Sequence, residues 1–81
     1  MNVEVKLFAA ARELAGADSL QAELPAGATV GDLRAWLTEH VPDLAPLLAT
    51  ATFAVDADYA SDATALPDGA EVACIPPVSG G

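Results

Sequence analysis

Few side chains in this sequence are suited to catalysis. His40 and Cys74 are the only histidine and cysteine, whereas a zinc site draws three or four ligands. His40 falls near the end of a helical pattern, where the helix dipole favours positive charge, and reads as a surface or capping histidine. Cys74 lies between Ala73 and Ile75 in an apolar run with no basic neighbour to lower its pKa, and reads as a packing thiol. Asp56, Asp58 and Asp62 suggest calcium, but an EF-hand loop starting at Asp56 needs an acidic residue, Gly and Glu where Ala60, Ser61 and Pro67 stand. These carboxylates are expected to form a solvated acidic rim. Ser19, Ser61 and Ser79 have no base and orienting group assembled beside them. The glycines form neither a dinucleotide fingerprint nor a P-loop. The expected metal content is none, and the chain reads poorly as a free-standing enzyme.

The remaining chemistry is at the end of the sequence, Pro76-Pro77-Val78-Ser79-Gly80-Gly81. Six extended residues reach about 20 Å, enough to leave a small domain and enter a partner's active site. Two prolines stiffen the base of such a tail and lower the entropic cost of ordering it. Val78 offers an apolar anchor, and Gly80 and Gly81 leave a backbone thin enough for a narrow channel. The reactive group would then be the carboxylate of Gly81. ATP on a partner enzyme would activate it as an acyl adenylate, and a sulfur nucleophile would displace AMP to leave a thiocarboxylate.

Length and charge set the frame for that tail. A chain of 81 residues and 8.1 kDa folds to a surface of roughly 4,500 Å², burying about 60% of what it exposes when unfolded. That makes one thin core and leaves no room for a deep cofactor cleft, so the activity is expected to involve a partner. Hydrophobic residues at 53% argue for a globular fold despite a net charge of −9. Three basic residues, Lys6, Arg12 and Arg34, face twelve acidic ones. A phosphate backbone would be repelled, so nucleic acid is not an expected partner, whereas a basic protein surface would be met faster. One cysteine allows no intrachain disulfide, the N-terminus has no signal-peptide pattern, and no stretch approaches the ~18 apolar residues of a spanning helix. The chain reads as cytoplasmic and soluble, with no membrane partner.

Hydropathy periodicity supplies the elements. Val3, Val5 and Leu7 alternate with Glu4 and Lys6, predicting a strand over about residues 2–8. Ala9 to Ala15 are good helix formers ended by Gly16 at a left-handed cap position. Ser19–Leu24 is a second short strand, closed by the turn-forming Pro25-Ala26-Gly27. Thr29 and Asp32 have the form of a capping box with a carboxylate one carbon shorter than the usual Glu. They open the main helix, whose Val30, Leu33, Leu37 and Val41 form one apolar stripe with Trp36 beside it, until Pro42 stops the run. Residues 43–51, broken by Pro46, read as a short helical turn or a loop. Phe53–Val55 is a third strand, Asp56-Ala57-Asp58 a polar turn, and Tyr59 to about Thr64 a minor strand. Leu66-Pro67-Asp68-Gly69 turns the chain into the final strand, Ala70–Ile75. The prolines that follow end its ladder. The expected class is α+β, a mixed sheet of four to five strands packed on one main helix, with a domain at 1–75 and an extended tail at 76–81.

These segments carry a family resemblance over essentially the whole chain. Val5-Lys6-Leu7-Phe8-Ala9 leading into Arg12-Glu13-Leu14-Ala15-Gly16, then Phe53-Ala54-Val55-Asp56, Leu66-Pro67-Asp68-Gly69-Ala70-Glu71-Val72 and the terminal Pro-Pro-Val-Ser-Gly-Gly resemble the MoaD/ThiS family of ubiquitin-like β-grasp sulfur carriers. Length and the double proline favour its molybdopterin synthase small-subunit branch over the thiazole carriers. The resemblance implies a β-grasp fold and a Gly81 that a MoeB-like, E1-type enzyme adenylates with ATP and that then becomes a thiocarboxylate. It implies a MoaE-like large subunit, in a heterotetramer, which receives the tail and passes sulfur to cyclic pyranopterin monophosphate to form the molybdopterin dithiolene. The carrier would bind no cofactor and would not be an enzyme by itself. By the same resemblance Phe8, Arg12 and Ile75 would lie on the docking face around Pro76, Pro77, Val78, Ser79 and Gly80. Ile75 stands where the family often has an aromatic residue. Two alternatives stay open: a sulfur carrier for thiamine, cysteine or tRNA thiolation, and a ubiquitin-like modifier joined through Gly81 to lysines.

Overall fold

The computed structural model describes residues 1–77. Strands β1 (Asn2–Leu7), β2 (Ser19–Glu23), β3 (Thr52–Val55), β4 (Asp58–Ala60) and β5 (Glu71–Ile75) form one mixed sheet in the order β2-β1-β5-β3-β4. Helix α1 (Ala9–Ala15) joins β1 to β2, and α2 (Val30–His40) follows β2. The first and last strands lie side by side and parallel, Val5 opposite Val72 and Leu7 opposite Cys74, while the other pairings are antiparallel. This is the mixed sheet on a main helix that the sequence predicts.

Each boundary has a local cause. Gly16 adopts φ 70° and its N–H donates to the Arg12 carbonyl, closing α1; a side chain there would be strained. At the start of α2 both bonds of the capping box form: Asp32 N–H donates to Thr29 Oγ1 at 3.2 Å, and Thr29 N–H to Asp32 Oδ2 at 2.9 Å. The shorter carboxylate therefore still reaches back. Val30, Leu33 and Leu37 turn inward to meet Val3, Val5, Phe53, Val72 and Cys74, and Trp36 packs at the margin.

Residues 43–51 hold the short helical turn that is one of their two expected readings, and two other elements differ from expectation. Pro42–Leu44 forms a single 3₁₀ turn and Ala45–Leu48 a short helix, α3. Pro46 sits in the first turn of α3, where its missing N–H leaves no helical bond unmade, so it starts the element rather than breaking it. The minor strand stops at Ala60 instead of continuing to about Thr64. Ser61 N–H turns back to Thr64 Oγ1 at 3.2 Å, and the carbonyls of Asp62 and Thr64 accept from Gly31 and Val30 at the start of α2. Asp58 belongs to β4, and the β3–β4 turn consists of Asp56 and Ala57 with φ 47° and 74°, the mirror-image turn that matches strand twist.

Arg34 ties these irregular segments to the core, a role that its basic side chain alone did not reveal. From α2 its guanidinium donates to the carbonyls of Leu48 and Ala51, pairs with Asp62 at 2.8 Å and lies 4.9 Å from the centre of the Phe53 ring. The rigid planar fork of the guanidinium serves three acceptors set in different directions, a geometry that the compact ammonium of lysine does not reproduce. Asp62 is therefore a structural partner, not part of a freely solvated rim. Arg34→Ala leaves the Leu48 and Ala51 carbonyls without these donors and should lower unfolding stability by about 2–3 kcal/mol. Asp62→Ala should cost about 1 kcal/mol or less, since its carboxyl group is largely exposed. Urea denaturation of the two variants beside the parent protein measures both.

Candidate functional site

The parallel pairing of β1 and β5 brings the two ends of the sequence reading together. Leu7 is opposite Cys74, so Phe8, the residue that follows β1, comes level with Ile75 at the same end of the sheet. Ile75 is half-buried, Pro76 is buried within the chain and Pro77 is exposed. Phe8 caps the start of α1 with its ring 48% exposed, although a large apolar ring is normally covered. Arg12 stands one turn along α1 on the same end. Phe8, Arg12, Lys6, Leu7, Asp18 and Ser19 line a cavity of about 340 Å³. Two of the three cations of an otherwise acidic chain thus meet an exposed aromatic beside the root of the tail. Val78, Ser79, Gly80 and Gly81 lie outside the described residues.

The charges are loosely held. Arg12 is 3.8 Å from Asp18, and Lys6 is 3.6 Å from Glu71, all four side chains being well exposed. Such pairs are worth at most about 1 kcal/mol and are screened by salt, so either can be exchanged for a partner's charge.

The outer face of the sheet continues this surface, which the sequence reading did not identify. Tyr59, Ala54, Ala73 and Lys6 are register partners on successive strands. Because their neighbours Phe53, Cys74 and Leu7 point into the core, these residues face outward. Tyr59 is 77% exposed, whereas Ala54 beside it is buried and Ala73 half-buried, so the small side chains on this face lie low between their neighbours. The signal was present as the small residue between each pair of core residues in β3 and β5, but it acquires meaning only once strand order places those alanines side by side.

The other candidates separate from this surface. His40 is exposed at the end of α2, its ring stacked on Trp36 at 4.1 Å with Nδ1 2.9 Å from the Trp36 carbonyl, in keeping with a surface or capping histidine. Asp56 Oδ1 accepts the N–H of Glu71 at 3.1 Å and so joins the β3–β4 turn to β5; it too is structural. Ser19 lines the cavity and Ser61 belongs to a turn. Among the described residues no cluster of three or more His, Cys, Asp or Glu forms a metal site, and no helix is long and apolar enough to cross a membrane.

A small β-grasp sheet with its last strand in the interior and leading to an exposed end is the architecture of ubiquitin-like carriers. Residues 5–81 match the ThiS family, and the chain belongs to that family. It is 42% identical to the "Molybdopterin synthase sulfur carrier subunit" of Chlamydomonas reinhardtii, with both chains covered completely. Among solved structures it is similar to SAMP1 of Haloferax volcanii, a small archaeal modifier protein, with a TM-score of 0.88, 30% identity and complete coverage of both chains. It is also similar to a chain of the complex of subunits 1 and 2 of the molybdopterin-converting factor of Helicobacter pylori, with a TM-score of 0.72, 27% identity and complete coverage of this chain and of that one.

Among the described residues Cys74 is the nucleophilic side chain nearest the tail in sequence, and its surroundings decide its role. The residue is wholly inaccessible on the inner face of β5, and burial pushes its thiol up from the ordinary cysteine value, with the Arg34 charge opposing weakly. The native state therefore keeps the proton at pH values where the unfolded chain releases it, and this contribution to stability is lost as pH rises past the ordinary cysteine range. The native thiol should react with a disulfide reagent at pH 8 at least a hundredfold more slowly than in urea. Rapid labelling of the folded protein would place Cys74 at the surface. Cys74→Ser should remain fully competent in any reaction of the tail.

Proposed function

We propose that this chain is the sulfur carrier subunit of a molybdopterin synthase, with Gly81 as the group that carries sulfur. Its full-length similarity to the algal sulfur carrier subunit carries this reading. The fold supplies a physical reason for it: a central strand, braced on both sides by neighbouring strands, directs the chain outward at Pro76–Pro77 beside an exposed aromatic and a cation. In this reading residues 1–75 are the docking body and 76–81 the reactive tail.

The chemistry needs little from the carrier's side chains. The Gly81 carboxylate attacks the α-phosphate of ATP held by an E1-type adenylating enzyme, and pyrophosphate leaves. A sulfur nucleophile then attacks the carbonyl carbon of the adenylate and displaces AMP, leaving a thiocarboxylate. The carrier next docks on a large subunit, whose active site receives the tail and passes the sulfur to cyclic pyranopterin monophosphate. The H. pylori neighbour supports such a second subunit. Phe8, Arg12 and Ile75 position the tail, while Pro76, Pro77, Val78, Ser79 and Gly80 pass it into the partner. The ATP and the catalytic groups belong to the partners, so the carrier is a substrate-like subunit and not an enzyme by itself. A reducing cytoplasm suits its single thiol. The modifier reading is favoured by the likeness to SAMP1 and predicts isopeptide adducts on other proteins in place of a thiocarboxylate.

Intact mass after incubation with an adenylating enzyme, ATP and sulfide should show replacement of one oxygen by sulfur at Gly81. Deletion of Gly81 or extension beyond it should abolish that exchange with the fold retained. Normal exchange in either variant overturns the tail mechanism, and adducts on other proteins without any thiocarboxylate favour the modifier. Arg12→Glu should weaken binding to the large subunit by about tenfold, about 1.4 kcal/mol, with a reduced salt dependence. An unchanged titration removes Arg12 from the interface.

A further inference from the structure

An activated acyl group is exposed to every neutral amine nearby, and this chain has almost none to offer. Lysine is ordinarily among the commonest residues, yet Lys6 is the only lysine in 81 residues. The fold engages both of its amines. The Met1 ammonium donates to the Leu24 carbonyl at 2.7 Å in a partly buried position, and the Lys6 Nζ is 3.6 Å from Glu71 Oε1. Lys6 stands on the outer face of β1, opposite Ala73 and in the wall of the Phe8–Arg12 cavity. A partner docked on that face would cover it.

Resting on the carrier reading, we propose that Lys6 is the chain's single self-acylation site, where the adenylated Gly81 of a second copy forms an isopeptide bond when no sulfur nucleophile intercepts it. The neutral Nζ attacks the Gly81 carbonyl carbon. The new C–N bond forms as the bond from that carbon to the phosphate oxygen breaks, AMP departs with the electron pair, and the amine proton passes to water. No electron changes hands, and the one ATP consumed is that which made the adenylate. The acceptor is placed on a second copy because Lys6, opposite Ala73, lies beside the root of its own tail, which the Pro76–Pro77 pair stiffens. The near absence of lysine and the Glu71 ion pair then act together, keeping the activated carrier available to sulfur and leaving one restrained acceptor on the docking face.

The test incubates the full chain with an E1-type adenylating enzyme and ATP at roughly pH 8.5, where a measurable fraction of lysine is neutral, with and without sulfide. Without sulfide, a covalent dimer one water lighter than two chains should form, and peptide mapping should join Gly81 to Lys6. Sulfide should suppress the dimer in favour of the thiocarboxylate. Lys6→Arg keeps the charge and should abolish the dimer while a thiocarboxylate still forms when sulfide is present. Glu71→Gln frees Nζ and should speed dimer formation about two- to fivefold. A thiocarboxylate with sulfide but no dimer without it overturns this inference and leaves the carrier reading intact. A dimer that persists in Lys6→Arg, a link at Met1, or a cyclised monomer also overturns it. Failure of both reactions, with the enzyme active on its own carrier, overturns the carrier reading and this inference with it.

Discussion

The parallel pairing of β1 with β5 is the constraint on which the rest of the molecule depends. These strands are the first and last of the fold, and their side-by-side placement closes the sheet around a core of Val3, Val5, Val72 and Cys74. Because they run in the same direction, both end on the same edge. Phe8 and Arg12 follow one strand, and the other ends at Ile75 and leads into the prolines. An antiparallel pair would have put Phe8 and the tail at opposite ends of the sheet.

A sheet centred on long-range pairs needs its connections held down, and the 48–70 region has little regular structure with which to do so. Arg34 supplies much of that restraint from α2, joining the end of α3, the Asp62 loop and the Phe53 ring through one planar group. Asp56 does the same at the β3–β4 turn by accepting the N–H of Glu71. Both contacts act on strands that flank or include β5, so restraints far from the tail in sequence converge on the strand that carries it. The polar groups in this network are satisfied, which lets a thin core of small residues remain ordered.

Electrostatics divide the surface in a functionally coherent way. Acidic residues dominate the chain, whereas Lys6 and Arg12, two of its three cations, share one cavity wall with the exposed Phe8. In the proposed docking role, net negative charge would hasten approach to a basic partner, and a local positive and aromatic patch would then set orientation. In the proposed role, the same scarcity of amines would limit side reactions of an activated terminus.

Much of this protein was determined by its sequence alone. Alternation in Val3-Glu4-Val5-Lys6-Leu7, the Gly16 stop, the Thr29–Asp32 cap and the stripe from Val30 to Leu37 each report a local preference that the fold satisfies. The family resemblance likewise rests on short motifs that can be read one at a time. Where local signals compete, tertiary contacts decide. Pro46 could break or begin a helix, and docking of α3 against α2 selects the second. Residues 61–64 could extend a strand, but the open donors at the start of α2 draw their carbonyls away. The roles of Arg34, Asp56 and Asp62, and the outward-facing row of Tyr59, Ala54 and Ala73, were not legible because each joins residues far apart in the chain. Their partners are set by strand order, and strand order is a property of the folded sheet and not of any single segment.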